Sequence, residues 1–455
     1  MPSLRTMATS RSIVRTYLVL TLGNTLAASL IWGINTIFLL DAGLSNLEAF
    51  AANAFFTAGM VLFEVPTGVI ADTLGRRYSF LLGTVTLAAS TLLYVLLWYV
   101  GAGFWLWAVV SVLIGLGFTF FSGAVEAWLV DALQATGYTG DLEVVFGRAQ
   151  IVGGAAMLVG SVAGGILAQA TNLGVPYVLR GAILVAMFLV AYLMMRDLGF
   201  SPRRGRSPMG EVRRLVRDSV DQGLRRPPIR WLMLEALFTG GVGIYVFYAL
   251  QPYLLELYGD PTAYTVAGLV AAVVAGAQML GGLAASRLRK LVHRRTTALL
   301  LAAGISAATL VGVGAVEQFW VVMALVVVWG LLWAAAEPIR QAYLNGMIPS
   351  EQRATILSFD SLMSSGGGVW AQPVLGRAAD IGGYGASFLV SAGISVLGLP
   401  FLALSRRERH PADTQVGTAA EEPPGSPPVT PSQEPPVAPG QVRDAEAPGS
   451  DAGQV

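Results

Sequence analysis

The feature that most constrains this chain is a series of apolar runs, each long enough to cross a lipid bilayer and separated by short polar loops. A spanning helix needs about 20 mostly apolar residues to cross roughly 30 Å of hydrocarbon. Twelve such runs lie near 13–40, 47–71, 78–99, 103–133, 148–169, 176–195, 231–253, 264–286, 297–315, 318–343, 354–378 and 384–404. The runs near 103–133 and 318–343 exceed one bilayer thickness and are expected to tilt or protrude. Only 13% of residues are charged, against about a quarter in soluble domains. The pattern predicts an all-α polytopic membrane protein with twelve transmembrane helices. Met1 to Arg15 is polar and basic, but the apolar run after it is too long for a signal-peptide core.

Arginine placement orients the spans. Arg5, Arg11 and Arg15 precede span 1, Arg76 and Arg77 follow span 2, and Arg406, Arg407 and Arg409 follow span 12. Ten arginines between Arg196 and Arg230 follow span 6, and Arg287, Arg289, Lys290, Arg294 and Arg295 follow span 8. The opposite loops carry Asp41, Glu48, Glu256, Asp260 and Glu317. The positive-inside rule then predicts an integral protein of the plasma (inner) membrane with both termini in the cytoplasm. The expected organisation is a cytoplasmic N-terminus (1–12), a six-helix bundle (13–196), a basic linker (197–230), a second six-helix bundle (231–404) and a disordered tail (405–455). Within the linker, Met209 to Leu224 has the pattern of a surface amphipathic helix. It reads either as a solvated connector or as a contact for anionic headgroups. The tail is rich in Pro, Glu, Gly and Ala and lacks the apolar surface to fold.

Composition also excludes whole classes. With no cysteine there are no disulfides and no thiolate chemistry. His293 and His410 are too few for a histidine metal site. No G-x-x-x-x-G-K-[ST] phosphate loop and no nucleophile–base pair is present, so neither ATP hydrolysis nor an enzyme is expected. No cofactor, no metal and no nucleic-acid partner are expected, and a monomer is.

Span 2 ends in Glu64-Val-Pro-Thr-Gly-Val-Ile-Ala-Asp-Thr-Leu-Gly-Arg-Arg77. Gly68, Ile70, Ala71, Asp72, Gly75, Arg76 and Arg77 fill a pattern that closely resembles the signature of the major facilitator superfamily. That resemblance implies two six-helix bundles related by pseudo-two-fold symmetry. It also implies a gating role for the motif: its acid packs against the start of span 11 and joins the motif arginine and an acid ending span 4. Asp131 stands at that last position. A carboxylate there meets unsatisfied N–H groups and a positive helix dipole. Gly68 and Gly75 would allow close approach and a tight turn. The alternative is that these charges only set topology.

An internal repeat supports the resemblance over residues 12–405. Gly68 to Asp72 aligns with Gly282 to Ser286, Gly123 to Glu126 with Ala334 to Glu337, and Arg148-Ala149 with Arg353-Ala354. Because Ser286 replaces the acid, the gate is expected in the first half only. Two antiporter features of the family are missing: Ile114 to Ser122 holds no arginine, and the glycine-rich span 5 holds no proline.

Ionisable groups inside a span are functional candidates. They are Glu64, Asp72, Glu126, Asp131, Arg180, Glu235, Glu337, Arg340 and Asp360. Glu126 is the leading candidate proton carrier, with a structurally paired glutamate as the alternative. Glu64 and Glu337 are further candidates, although Glu337 with Arg340 also reads as an (i, i+3) ion pair. Spans 1, 4, 7 and 10 line the cavity in the family. This makes Asn24, Trp32, Asn35, Tyr245, Tyr248, Gln251 and Arg340 candidates for a substrate pocket, although Trp and Tyr also serve as interfacial anchors. The resemblance implies secondary active transport by alternating access. The preferred form is proton-coupled export of a small organic molecule, and the alternatives are a proton-coupled importer of a metabolite and a non-transporting receptor or scaffold.

Overall fold

The computed structural model describes residues 9–202, 210, 217, 223–348 and 353–414. Side chains of 283–291 and 354–355 are not described. The expected helix over Met209 to Leu224, the Ser286 side chain and everything beyond Thr414 therefore lie outside the described residues or are barely touched by them.

Every long described element is an α-helix. Span 1 is α1 (Ser10–Trp32) and α2 (Asn35–Asp41), broken at Gly33-Ile34. Spans 2 and 3 are α3 (Asn46–Leu74) and α4 (Arg76–Val100). Span 4 is α5 (Phe104–Thr119) and α6 (Ala124–Ala135), and spans 5 and 6 are α7 (Leu142–Ala170) and α8 (Gly174–Met194). Spans 7 to 10 are α9 (Pro227–Tyr258), α10 (Tyr264–Leu291), α11 (Arg295–Ala315) and α12 (Phe319–Asn345). Spans 11 and 12 run on as α13 (Arg353–Arg407), kinked at Gly383 with φ 76°. Local signals set several ends: Ser45 caps α3, accepting from the Glu48 N–H while Glu48 accepts from the Ser45 N–H. The long run of span 4 is accommodated by a break at Gly123 (φ 66°) rather than by protrusion of one straight helix.

The packing repeats across the two halves. Span 1 packs on span 5 and span 7 on span 11, span 2 on span 4 and span 8 on span 10, and span 3 on span 6 and span 9 on span 12. This pairing is the pseudo-two-fold relation of two six-helix bundles. The halves meet where span 2 lies on span 11 and span 5 on span 8. At the second seam, a β-carbon on Gly165 or Gly268 would sit 3.2 Å from the other's Cα, so only glycine permits the approach. Large apolar side chains such as Trp105, Ile151, Leu193 and Trp320 face outward. They form a surface that water would penalise and that a bilayer accepts.

Four apolar cores hold the bundle. The two at the Asp41 end reach across the seam: one joins Phe38 and Tyr177 to Leu255 and Ala267, and the other joins Phe50 to Tyr245 and Phe388. The two at the opposite end stay within one half each, around Trp128 in the first half and Tyr343 in the second.

The expected tail boundary at 405 is corrected. The helix continues to Arg407, and Pro411–Asp413 forms a 3-10 turn seated on the bundle. Asp413 is buried and accepts from the Thr296 N–H at 2.7 Å and the Thr296 hydroxyl at 2.9 Å, which caps α11. A carboxylate on orphan N–H groups at a helix start is a favourable fit that composition alone did not reveal.

Candidate functional site

The signature motif places Arg76 between Asp72 and Asp131. An Arg76 guanidinium nitrogen lies 2.6 Å from Asp72 Oδ1, and Arg76 Nε lies 4.0 Å from Asp131 Oδ2. Together they line a small recess with Gly199, Phe200 and Ser201. Arg77 turns elsewhere: its N–H donates to Asp197 at 2.9 Å and its guanidinium to the Tyr192 carbonyl at 2.6 Å, over the Tyr192 ring. Gly75 has φ 113°, and Asp197 occupies the space a β-carbon would need, so only glycine fits this turn. Burial pushes the Asp197 carboxyl up, opposed by the Arg77 N–H and the charges of Arg77 and Arg76. Asp197 lies beyond span 6, outside the motif, so no pattern in span 2 pointed to it.

No hydrogen bond or ion pair joins Asp72 to span 11 among the described residues. Gly68 and Gly282, the paired positions of the repeat, both face open space. A helix-capping arrangement of this kind is present at the other end. Asp380 of span 11 accepts from the N–H groups of Asn46 at 2.9 Å and Leu47 at 3.0 Å, at the start of span 2. Every hydrogen bond between the halves among the described residues belongs to that end or the middle. Gln251 bonds Trp32 and Thr36, Tyr384 bonds Asn46, Thr265 bonds Gln169, and Gln372 bonds Thr57.

The proton-carrier candidates are not buried. Glu64, Glu126 and Glu337 are all exposed; Glu64 accepts from Ser122 at 2.6 Å and Glu337 from Gln341 at 2.8 Å. The expected Glu337–Arg340 ion pair is replaced. Arg340 makes two 2.6 Å hydrogen bonds to Asp360, and its Nε lies 3.6 Å from Glu235. One turn of helix brings Glu337 near, but Asp360 and Glu235, from spans 11 and 7, enclose the guanidinium in the interior. Glu235 and Asp360 are 5% and 4% exposed. Thr239 donates to Glu235 Oε1 at 2.8 Å, while Oε2 has no hydrogen-bond partner. Two carboxylates against one guanidinium leave one negative charge uncompensated. These three residues line a cavity of about 310 Å³ in the second half, with Trp329 and Trp333 on its wall.

The expected pocket residues divide. Trp32, Asn35 and Tyr248 line a separate cavity of about 50 Å³ with Arg180. Tyr245 is corrected: it is buried in the second-half core, donating to Ser387 at 2.6 Å. Gln251 is corrected as well, because it clasps span 1 across the seam. Asn24 is half-buried, with its carbonyl oxygen unbonded. Glu235, Asp360 and Arg180 are visible as charges in apolar runs, but Arg340, which the two acids share, and the residues that surround Arg180 come from other spans.

The sequence matches the family model described as Major Facilitator Superfamily over residues 17–371 and 262–439. A protein described as an uncharacterized MFS-type transporter of Methanocaldococcus jannaschii is 25% identical over 171 residues, 38% of this chain and 42% of that relative. Among solved structures, the nucleoside transporter NupG superposes with TM-score 0.71 at 10% identity, covering 86% of this chain and 98% of that one. A bacterial homologue of the human lysosomal transporter Spinster, described as inward-facing and unoccupied, gives TM-score 0.61 at 17% identity, covering 87% and 97%. At such identities the two structures speak for the fold alone.

Proposed function

This chain belongs to the major facilitator superfamily, and on that premise we propose that it moves a small organic molecule by alternating access, coupled to protons. The observation that carries the reading is the asymmetry of the seam. Among the described residues, seven hydrogen bonds tie the halves at the Asp41 end and the middle, while at the motif end each half keeps its own apolar core. At about 0.5–1.5 kcal/mol net each, those bonds are worth several kcal/mol. The opposite state must supply a comparable set at the motif end. A half-buried (i, i+4) pair such as Asp72–Arg76 is worth only about 0.3–0.5 kcal/mol, so close packing along the Gly68 and Gly282 faces has to contribute. With both termini in the cytoplasm, this conformation is open to the cytoplasm.

Proton coupling is assigned to Glu235 in place of Glu126. An uncompensated buried charge costs several kcal/mol, and a proton on Glu235 would remove it while Asp360 keeps its paired arginine. Export against entering protons is the preferred direction. Proton-coupled uptake is the second reading, favoured by the unpaired Arg180: an anion and a proton crossing together carry less net charge. The protein acts as a monomer in the plasma membrane, since both cavities are lined by residues of a single chain.

The test is flux in liposomes under an imposed pH gradient, with a panel of candidate compounds, comparing wild type, Glu235→Gln and Glu126→Gln. Loss of pH-driven flux in Glu235→Gln with substrate exchange retained supports the assignment. Unchanged pH-driven flux in that variant sinks it. The sign of the gradient that drives accumulation separates export from uptake, and no flux for any compound favours the receptor reading.

A further inference from the structure

Arg180 is 2% exposed, near the start of span 6 and inside the first-half bundle. Among the described residues it has no carboxylate partner and no hydrogen bond; the face of the Phe118 ring lies 5.7 Å away, and Tyr94, Tyr177 and Tyr248 line the same cavity. A ring face offsets part of a cation's lost hydration but leaves its N–H groups unbonded. A buried guanidinium is normally paired, because removing the charge from water without a counter-charge is strongly unfavourable. Here no counter-charge stands beside it among the described residues.

Two other buried polar groups around the same cavity are also unbonded. They are the Asn53 amide nitrogen and the Thr91 hydroxyl, beside the unbonded Arg180 Nε. Neighbouring bonds hold this arrangement. Tyr177 donates to Asn35 Oδ1 at 3.1 Å, and the Asn35 amide donates to Asn53 Oδ1 at 3.0 Å. The Asn53 oxygen is thereby engaged and its N–H groups are left free. No Asp or Glu lines the cavity. Its volume of about 50 Å³ admits a group of only a few heavy atoms.

We propose that this cavity binds a monovalent anionic group of carboxylate size, held by Arg180 with Asn53 and Thr91 as neutral donors. A planar carboxylate matches the guanidinium fork, and the neutral donors take its remaining lone pairs. Tyr248 lines the cavity from span 7, and the Trp32 carbonyl at its edge accepts from Gln251 of the same span. A bound anion would therefore sit where the two halves touch and would respond to their separation. The inference deepens the transport reading by naming an anionic substrate class, and it rests on that reading only for its physiological meaning.

The experiment reads binding, not flux, so its failure and the failure of transport are distinguishable. The purified full chain in detergent is titrated with chloride, formate and acetate at constant ionic strength, with sulfate, a dianion, as the balancing anion. Thermal unfolding is followed by tryptophan fluorescence. Wild type should be stabilised saturably, and Arg180→Gln should weaken the apparent affinity more than tenfold. Thr91→Val, which keeps the side-chain volume and removes the hydroxyl, should weaken it about tenfold, and it decides the matter if Arg180→Gln fails to fold. Saturation by carboxylates alone assigns the site to an organic ligand, and equal saturation by chloride assigns it to a free inorganic anion. No saturation in wild type, or unchanged affinity in both variants, overturns the proposal.

Discussion

Arg340 and Glu337 lie on the same helix one turn apart, yet the guanidinium binds Asp360 and faces Glu235. Removing one member of a buried charge cluster strands the others, at about 3–5 kcal/mol. Arg340→Gln should therefore lower thermal stability sharply, while Glu337→Gln, at an exposed site, should leave it near wild type. Equal effects of the two would restore the (i, i+3) pairing that the local sequence suggests. Asp197 gives a pH-dependent counterpart outside the membrane. Burial raises its carboxyl above the usual value of 3.8, so the folded state favours the protonated form. Its stabilising contribution is full below the ordinary carboxylate range and is lost as pH rises through the raised value. Melting temperatures of wild type should thus fall relative to Asp197→Asn as pH rises above about 4; a constant difference would refute this.

At the scale of elements, the segment after span 12 is the clearest revision. Composition reads 405–455 as one disordered tail, and that holds no information about Asp413, whose carboxylate caps α11. A side-chain cap is worth about 0.5–2 kcal/mol. Asp413→Ala should destabilise the protein by that amount and raise amide exchange at Thr296; unchanged exchange would show that the seat is not energetically coupled. The twelve helices themselves were legible, because each apolar run must satisfy its backbone internally in lipid. Breaks inside spans 1 and 4 were not, since Gly33 and Gly123 read as two among 53 glycines.

For the whole molecule, the two ends of the seam compete. Asp380→Asn keeps the side-chain shape but weakens two charge-assisted bonds to the start of span 2, by about 1 kcal/mol. That should shift the population roughly fivefold away from the conformation closed at the Asp41 end. Gly68→Leu should do the opposite: the side chain has room here but would obstruct closure at the motif end. The chain has no cysteine, so single introduced cysteines at each end report accessibility without background. Opposite shifts for the two variants are expected, and parallel shifts would contradict rocking about one seam.

The sequence by itself determined the membrane, the number of spans, the two-fold plan and the pair of Asp72 and Arg76. These follow from hydropathy, loop charge and residues close together along the chain. Only the tertiary structure decided which charges are buried together. Glu235, Arg340 and Asp360 come from three spans, Arg180 is left unpaired among Asn53 and Thr91, and Asp380 closes the end where the motif is absent. Burial and pairing depend on which helix faces which, and a one-dimensional pattern of apolar runs leaves those rotations free.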